Sequence, residues 1–600
     1  MSFRLLQLAL IIVAFHCLTT DGVRTTYNVD QAGSTPLAFP YADLNRWGVR
    51  QVVSGSIDCS SFLDAIPGGP WYDAAGLKMV NASIAANRAA IAAAHEKGME
   101  IFMSSDIFQF PSMLLERYKE QVTWPNSKCF GYRLGPTCID IRANATRVFM
   151  RLLLDEVKAT FPTLDGVVLR YGENSPCNEH AGNAPYDTSD AIASLQLLLT
   201  FIREELCVQR NLTVIFRTWD TSTQLFHANA TFYKAVTDAI EPHPKLVFSI
   251  KHTALDFWRR VAVNPTLTVG SHAQIVEAEV AGMYFACGTV PLYIGDGLIN
   301  GFEENNPPVG LAALFNSKST SKLLGGVLTN HQCDEITPAA PYFWPRLEQS
   351  VISTWATNTT QSELDVFDAY ARNDLGIKNA SVRATLHDMA LIAMDAHLHM
   401  WTVEAFDPIV NPAQMDRPTS NWLVRGSLGG LWQLDPTGHE GDCHAYNLSH
   451  CEVFPFLGQT NAFDAALAEK RSAAVAFAAV NETAYSVVAP ALPKAADALG
   501  LLASTELGAY NAAIVAAGWT VMAWGWRGDH SSPKTYNVTA IKNAIIEYDS
   551  LWKNYLMLPS KLPGYVLPSS LMNDTFWVHP TSGQPGMRQS VDAYRNISIA

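Results

Sequence analysis

Thr213-Val214-Ile215-Phe216-Arg217-Thr218-Trp219-Asp220 is a run of β-branched and aromatic residues that closes on polar ones. Further along, Leu246-Val247-Phe248-Ser249-Ile250-Lys251-His252 has the same design. So do Val167-Val168-Leu169-Arg170-Tyr171-Gly172-Glu173 upstream and residues 274–280 downstream. Working outward, shorter apolar runs lie at 49–55, 100–105 and 326–329. Helical patterns separate most of them: 83–97 is Ala-rich and stops at Gly98, and 145–160 carries apolar residues at helical spacing before Pro162. Strands alternating with helices signal parallel β-α-β units. Seven such runs in this order predict an α/β fold, a (β/α)8 TIM-type barrel with one strand unplaced. The competing doubly wound sheet would announce itself by a nucleotide-binding Gly-rich turn after its first strand, and no such turn is present.

Beyond residue 382 the texture changes. Residues 462–517 are rich in Ala with helical periodicity and few strand signals. The expected organisation is therefore a signal peptide at 1–22, a barrel at 23–382 and a mostly α-helical C-terminal domain at 383–600. The leader has Arg4, an apolar run at 5–15 and then Thr19, Thr20, Asp21 and Gly22. That run falls short of the roughly 20 residues a membrane span needs. No later segment reads as a span, so a secreted, extracellular protein is expected.

Eleven Asn-X-Ser/Thr acceptors, at Asn81, Asn144, Asn211, Asn229, Asn358, Asn379, Asn447, Asn481, Asn537, Asn573 and Asn596, exceed the roughly four that composition would give by chance. Cysteine usage points the same way: after Cys17 leaves with the leader nine remain, and the close pairs Cys129/Cys138 and Cys443/Cys451 read as loop staples. An odd count leaves at least one free or intermolecular thiol. A net charge of -14 argues against nucleic acid or an anionic membrane as partner. A local cluster of Arg and Lys can still seat an acidic small substrate. Fifteen Trp and twenty Tyr serve mainly as core, and such rings also make sugar-stacking platforms.

Barrel enzymes place their chemistry at the C-terminal ends of the strands. The residues closing each run are therefore the candidates: Arg170 and Glu173, Arg217 and Trp219, Lys251 and His252 with Asp256 in the next loop, and Glu277 with Glu279. The last two share one face of their strand by its two-residue period. Carboxylates converging with fixed cations suit hydrolysis of an acidic glycoside, in which one acid protonates the leaving oxygen, a second carboxylate activates water and the cations hold the sugar's own carboxylate. Mutual pairing of these charges at a barrel mouth is the competing reading. His397 and His399 alternate like a metal pair on a strand, but a helical context fits them better, and no metal or cofactor is expected.

At these residues the chain resembles the α-glucuronidases of glycoside hydrolase family 67, over roughly 167–376. Leu246-Val-Phe-Ser-Ile-Lys-His-Thr-Ala-Leu-Asp256-Phe257 is similar to that family's strand-Lys-loop-Asp-Phe segment, and Gln274-Ile-Val-Glu277 to the start of its next strand. Gly325-Gly-Val-Leu-Thr-Asn330 resembles its Gly-Val-Ser-Asn element. Trp344-Pro-Arg346-Leu347, Ser362-Glu363-Leu364 and Asp374-Leu-Gly376 resemble the helix pair that follows. The resemblance implies a barrel that removes uronic acid from a saccharide with inversion, without cofactor or metal. It implies Glu173 as general acid, Asp256 as general base, and Arg217 and Lys251 as binders of the sugar carboxylate. An inverting pair stands roughly 6.5 to 9.5 Å apart. Where the family carries a second base-side Glu before a Tyr, this chain has Met283 before Tyr284. Either Asp256 then works alone, Glu279 or Glu277 reaches in from the strand, or the site has lost this activity. The expected partner is a uronic acid-containing poly- or oligosaccharide. A non-catalytic carbohydrate-binding barrel and a barrel hydrolase for neutral sugars are the competing functions, and oligomeric state is left open.

Overall fold

The computed structural model describes residues 27–32, 39–57, 60–107, 110–123, 139–172, 188–220, 225–254, 257, 261–280, 290–302, 308–317, 322–331, 343–401, 403, 457–562 and 591–597. The leader, Glu173, Asp256, Met283 and every mature cysteine but Cys207 lie outside these residues. Eight parallel strands close a barrel in chain order: β1 (Tyr27–Ala32), β2 (Gln51–Ser56), β3 (Glu100–Asp106), β4 (Gly166–Gly172), β5 (Thr213–Asp220), β6 (Leu246–Lys251), β7 (Ala273–Glu279) and β8 (Leu324–His331). The TIM-type barrel expected from the alternating runs is the observed fold.

The unplaced strand is β1. Its sequence, Tyr-Asn-Val-Asp-Gln-Ala, has no continuous apolar run, and its strand character comes from its neighbours on both sides. It pairs with β8 from Tyr27↔Gly326 to Ala32↔His331 and with β2 from Val29↔Gln51 to Gln31↔Val53. Closure needs Gly326, because a Cβ there would stand 1.8 Å from the Tyr27 carbonyl oxygen.

Each strand sends one residue to a shared apolar layer inside the barrel: Val29, Val53, Phe102, Val168, Ile215, Val247, Ile275 and Leu328, all at most 2 % exposed. Two residues further along, the same face carries Arg170, Arg217, Ser249, Glu277 and Asn330. Two further still come Trp219, Lys251 and Glu279. The strand period thus stacks a polar layer on the apolar one toward the C-terminal mouth.

The helix expected at 83–97 begins earlier, at Ala74, because the Asp73 carboxylate caps it by accepting from the Gly76 amide at 2.7 Å. His397 and His399 lie on the helix Ala380–Trp401, which crosses the boundary expected between 382 and 383. That helix packs with Phe463–Thr483, Ala495–Asp529 and Val538–Leu556 into the helical C-terminal part. The join to the barrel runs through Phe343–Thr357, the helix after β8. There Trp344 Nε1 donates to Ser504 Oγ at 2.9 Å and Arg346 donates to Asp497 at 2.6 Å. One continuous apolar core extends from the barrel's outer face into these helices.

Two findings refine the expectations. Phe463–Ala491 and Ala495–Asp529 are, by length and composition, apolar enough to cross a membrane, which corrects the reading that no later segment is. Here Ala495–Asp529 buries Leu501, Leu507, Ile514, Val515, Trp519 and Val521 among its neighbours, as a core helix does. Cys207 is a buried free thiol whose Sγ lies 3.3 Å from the Lys245 carbonyl oxygen, and burial pushes it up to about 12.

Candidate active site

The polar layer is organised around Glu277. Arg217, 2 % exposed, donates to it through Nε at 2.9 Å and through a terminal nitrogen at 2.5 Å. Ser249 Oγ adds a bond at 3.2 Å and Asn330 Nδ2 one at 3.1 Å. Burial alone would raise this carboxyl. The charge and bonds of Arg217, with help from Lys251 and Asn330, outweigh it and hold Glu277 down at about 2. A carboxylate with four donors and no exposed surface neither gives nor takes a proton near neutral pH. Glu277 is a buried, paired carboxylate, and Arg217 donates to it through two of its three nitrogens.

Arg170 is similarly engaged. Its Nε and a terminal nitrogen fork onto Asp106 at the end of β3, the second contact at 2.6 Å. The bland reading of charges pairing across a barrel mouth thus accounts for Arg170, Arg217 and Glu277. Asp106, Ser249 and Asn330 were not singled out as site residues. Their signal was positional: Ser249 and Asn330 sit two residues beyond the apolar layer, as Arg217 and Glu277 do.

Lys251 differs. Its Nζ lies 3.5 Å from the ring centroid of Trp219 and 4.4 Å from that of Phe257, with the residue 3 % exposed. Two aromatic faces hold an ammonium at the mouth end of the layer. Trp219, 5 % exposed, seats this cation on its ring and meets His227 edge-on at 5.2 Å, so it is not an open stacking platform for sugar. His252 donates its backbone amide to the Glu277 carbonyl at 3.0 Å and stacks on Phe257 at 5.7 Å. Burial pushes its imidazole down to about 4, so it is neutral at pH 7.

Glu279 closes β7 at the mouth and is 3 % exposed. Beside it stands Glu348, on the helix after β8. Its Oε1 accepts from the Ile294 amide, while its Oε2 is buried with no hydrogen-bond partner among the described residues. Burial pushes Glu348 well above the usual carboxylate range, and the charges of Glu279 and Glu363 push the same way. Sequence reasoning missed Glu348 because its helix reads only as amphipathic.

Other residues that carried the family resemblance do structural work. Arg346 joins Tyr370 and Asp497, and Asp374 accepts from Trp47 Nε1 at 3.0 Å. Glu363 takes bonds from Tyr293 and His387. The proposed acid Glu173 follows β4 directly in sequence, and Asp256 comes five residues after β6. Among the described residues no group of three or more His, Cys, Asp or Glu is arranged to hold a metal ion.

Comparison with solved structures places the architecture. A GH138 enzyme targeting pectin rhamnogalacturonan II is similar over 96 % of this chain and 83 % of its own, with a TM-score of 0.53 and 10 % identity. The chain has the fold of that barrel enzyme. A chitobiase of Flavobacterium johnsoniae aligns over 89 % of this chain and 78 % of its own, at a TM-score of 0.38 and 13 % identity. No family model matches the chain, and no curated protein matches it in sequence. The likeness to family 67 therefore rests on the quoted motifs alone.

Proposed function

We propose that this chain is a secreted glycoside hydrolase that removes a uronic acid from a poly- or oligosaccharide. The observation that carries the reading is Lys251, a buried ammonium held between Trp219 and Phe257 at the barrel mouth, beside the Arg217–Glu277 pair. A fixed cation in a low-dielectric site favours a carboxylate-bearing sugar over a neutral one. In this proposal Lys251 anchors the sugar carboxylate from between the two rings. In the same proposal Glu173 protonates the leaving oxygen and Asp256 activates water, the roles the family resemblance implies, with Glu279 at the end of β7 as a further carboxylate. Glu277 takes no part in proton transfer.

The test is incubation of the secreted protein with glucuronoxylan fragments and other uronate oligosaccharides, with the product anomer followed by NMR. Release of uronic acid with inverted configuration is expected. A second reading, a non-catalytic saccharide binder, is favoured by Met283, which cannot accept a proton. Saturable uronate binding by calorimetry without product release would establish it.

A further inference from the structure

We infer that side-chain geometry selects which asparagines of this chain carry N-linked oligosaccharide: Asn229, Asn358, Asn379 and Asn537 are modified and Asn481 is left bare. The inference rests on the secretory reading of the leader and goes beyond it. In the transfer reaction Asn Nδ2 bonds to sugar C1 as the C1–O bond to a lipid diphosphate breaks. The diphosphate leaves with the bonding pair, and one amide proton is lost to base. The folded product is tolerated only where Nδ2 faces water.

At the four selected sites the exposed asparagine uses its other atom. Asn229 Oδ1 caps a helix by accepting from the Phe232 amide at 3.0 Å, and Asn537 Oδ1 does the same for Ala540 at 3.0 Å. Asn379 Oδ1 accepts from the Ser381 amide at 2.9 Å, and Asn358 Oδ1 accepts from Thr360 Oγ1 at 2.7 Å and its amide at 3.3 Å. These bonds fix the side chain through its carbonyl. The Nδ2 has no hydrogen-bond partner among the described residues, and a glycan there leaves every one of these contacts intact.

Asn481 is the reverse case. It is half-buried, its Nδ2 donates to Glu506 Oε2 at 2.9 Å, and its Oδ1 accepts from the fully buried Thr505 at 2.9 Å. Both atoms tie Phe463–Thr483 to Ala495–Asp529. A sugar on that nitrogen would replace one of its two N–H groups and crowd the approach of Glu506 from the neighbouring helix. Asn81, though exposed, also spends its Nδ2, on the Leu77 carbonyl at 2.9 Å.

The full chain, expressed with its own leader in cultured eukaryotic cells, is treated with peptide N-glycosidase in heavy-oxygen water and mapped by peptide mass spectrometry. Labelled Asp is expected at 229, 358, 379 and 537, and unlabelled Asn at 481. Thr231→Ala, Ser381→Ala and Thr539→Ala destroy the acceptor yet keep the capping Asn, so each should lower the mass by one glycan. Thr483→Ala should leave it unchanged. Label at 481 in most secreted molecules, or its absence at any of the four, overturns the inference while leaving the secretory reading intact. Label nowhere overturns both.

Discussion

At the scale of single residues, the deciding contact is Arg217 with Glu277. Glu277→Gln leaves a buried guanidinium without its anion, a change that costs about 3 to 5 kcal/mol in comparable pairs. Urea unfolding should show that loss. The pair also sets an acid limit. A carboxyl held at about 2 against an ordinary 4.5 contributes stability that is complete above pH 4.5 and is lost as pH falls toward 2, on the order of 3 kcal/mol. In Glu277→Gln this segment of the stability profile should flatten. Sequence reasoning found Arg217, Lys251, Glu277 and Glu279 because strand ends in a barrel face the mouth. It did not find who pairs with whom. Arg217 lies level with Ser249 on β6, whereas Lys251 is the register partner of Glu277 on β7. That stagger belongs to the closed sheet, and no local window encodes it.

At the scale of elements, seven of the eight strands were legible because each carries a short apolar run that is buried in the barrel wall. β1 was not. Among its described side chains Val29 lies in the inner layer and Tyr27 packs against it, and the strand exists because β2 and β8 supply partners from distant parts of the chain. Gly326→Ala tests that closure directly. Its Cβ would collide with the Tyr27 carbonyl, which backbone cannot yield cheaply. The variant should lose at least the upper end of the 1–3 kcal/mol usual for overpacking, measured by denaturant midpoint. A stability unchanged within error would mean that β1 does not seal the barrel against β8. The earlier start of Ala74–Glu96 has a simpler origin: its first turns lack an apolar stripe, and the Asp73 cap sets the beginning.

At the scale of the whole molecule, the helical C-terminal part was legible from its Ala-rich periodicity, but its union with the barrel was not. That union depends on Trp344–Ser504, Arg346–Asp497 and one continuous core. Calorimetry of the full chain should therefore give a single cooperative transition, and two resolved transitions would show that barrel and helices unfold independently. Arg346→Met, which leaves Asp497 buried and unpaired, should lower that transition rather than split it. The central claim remains the mouth of the barrel, where a lysine caged by Trp219 and Phe257 is assigned to an acidic sugar. The most direct measurement compares kcat/KM of the wild-type chain, Lys251→Met and Glu173→Gln on a uronate oligosaccharide. Uronic acid release by the wild type is expected, with at least a hundredfold loss in Glu173→Gln and a loss in Lys251→Met that comes mainly through KM. Equal rates in all three, or no release by the wild-type chain, would contradict the account.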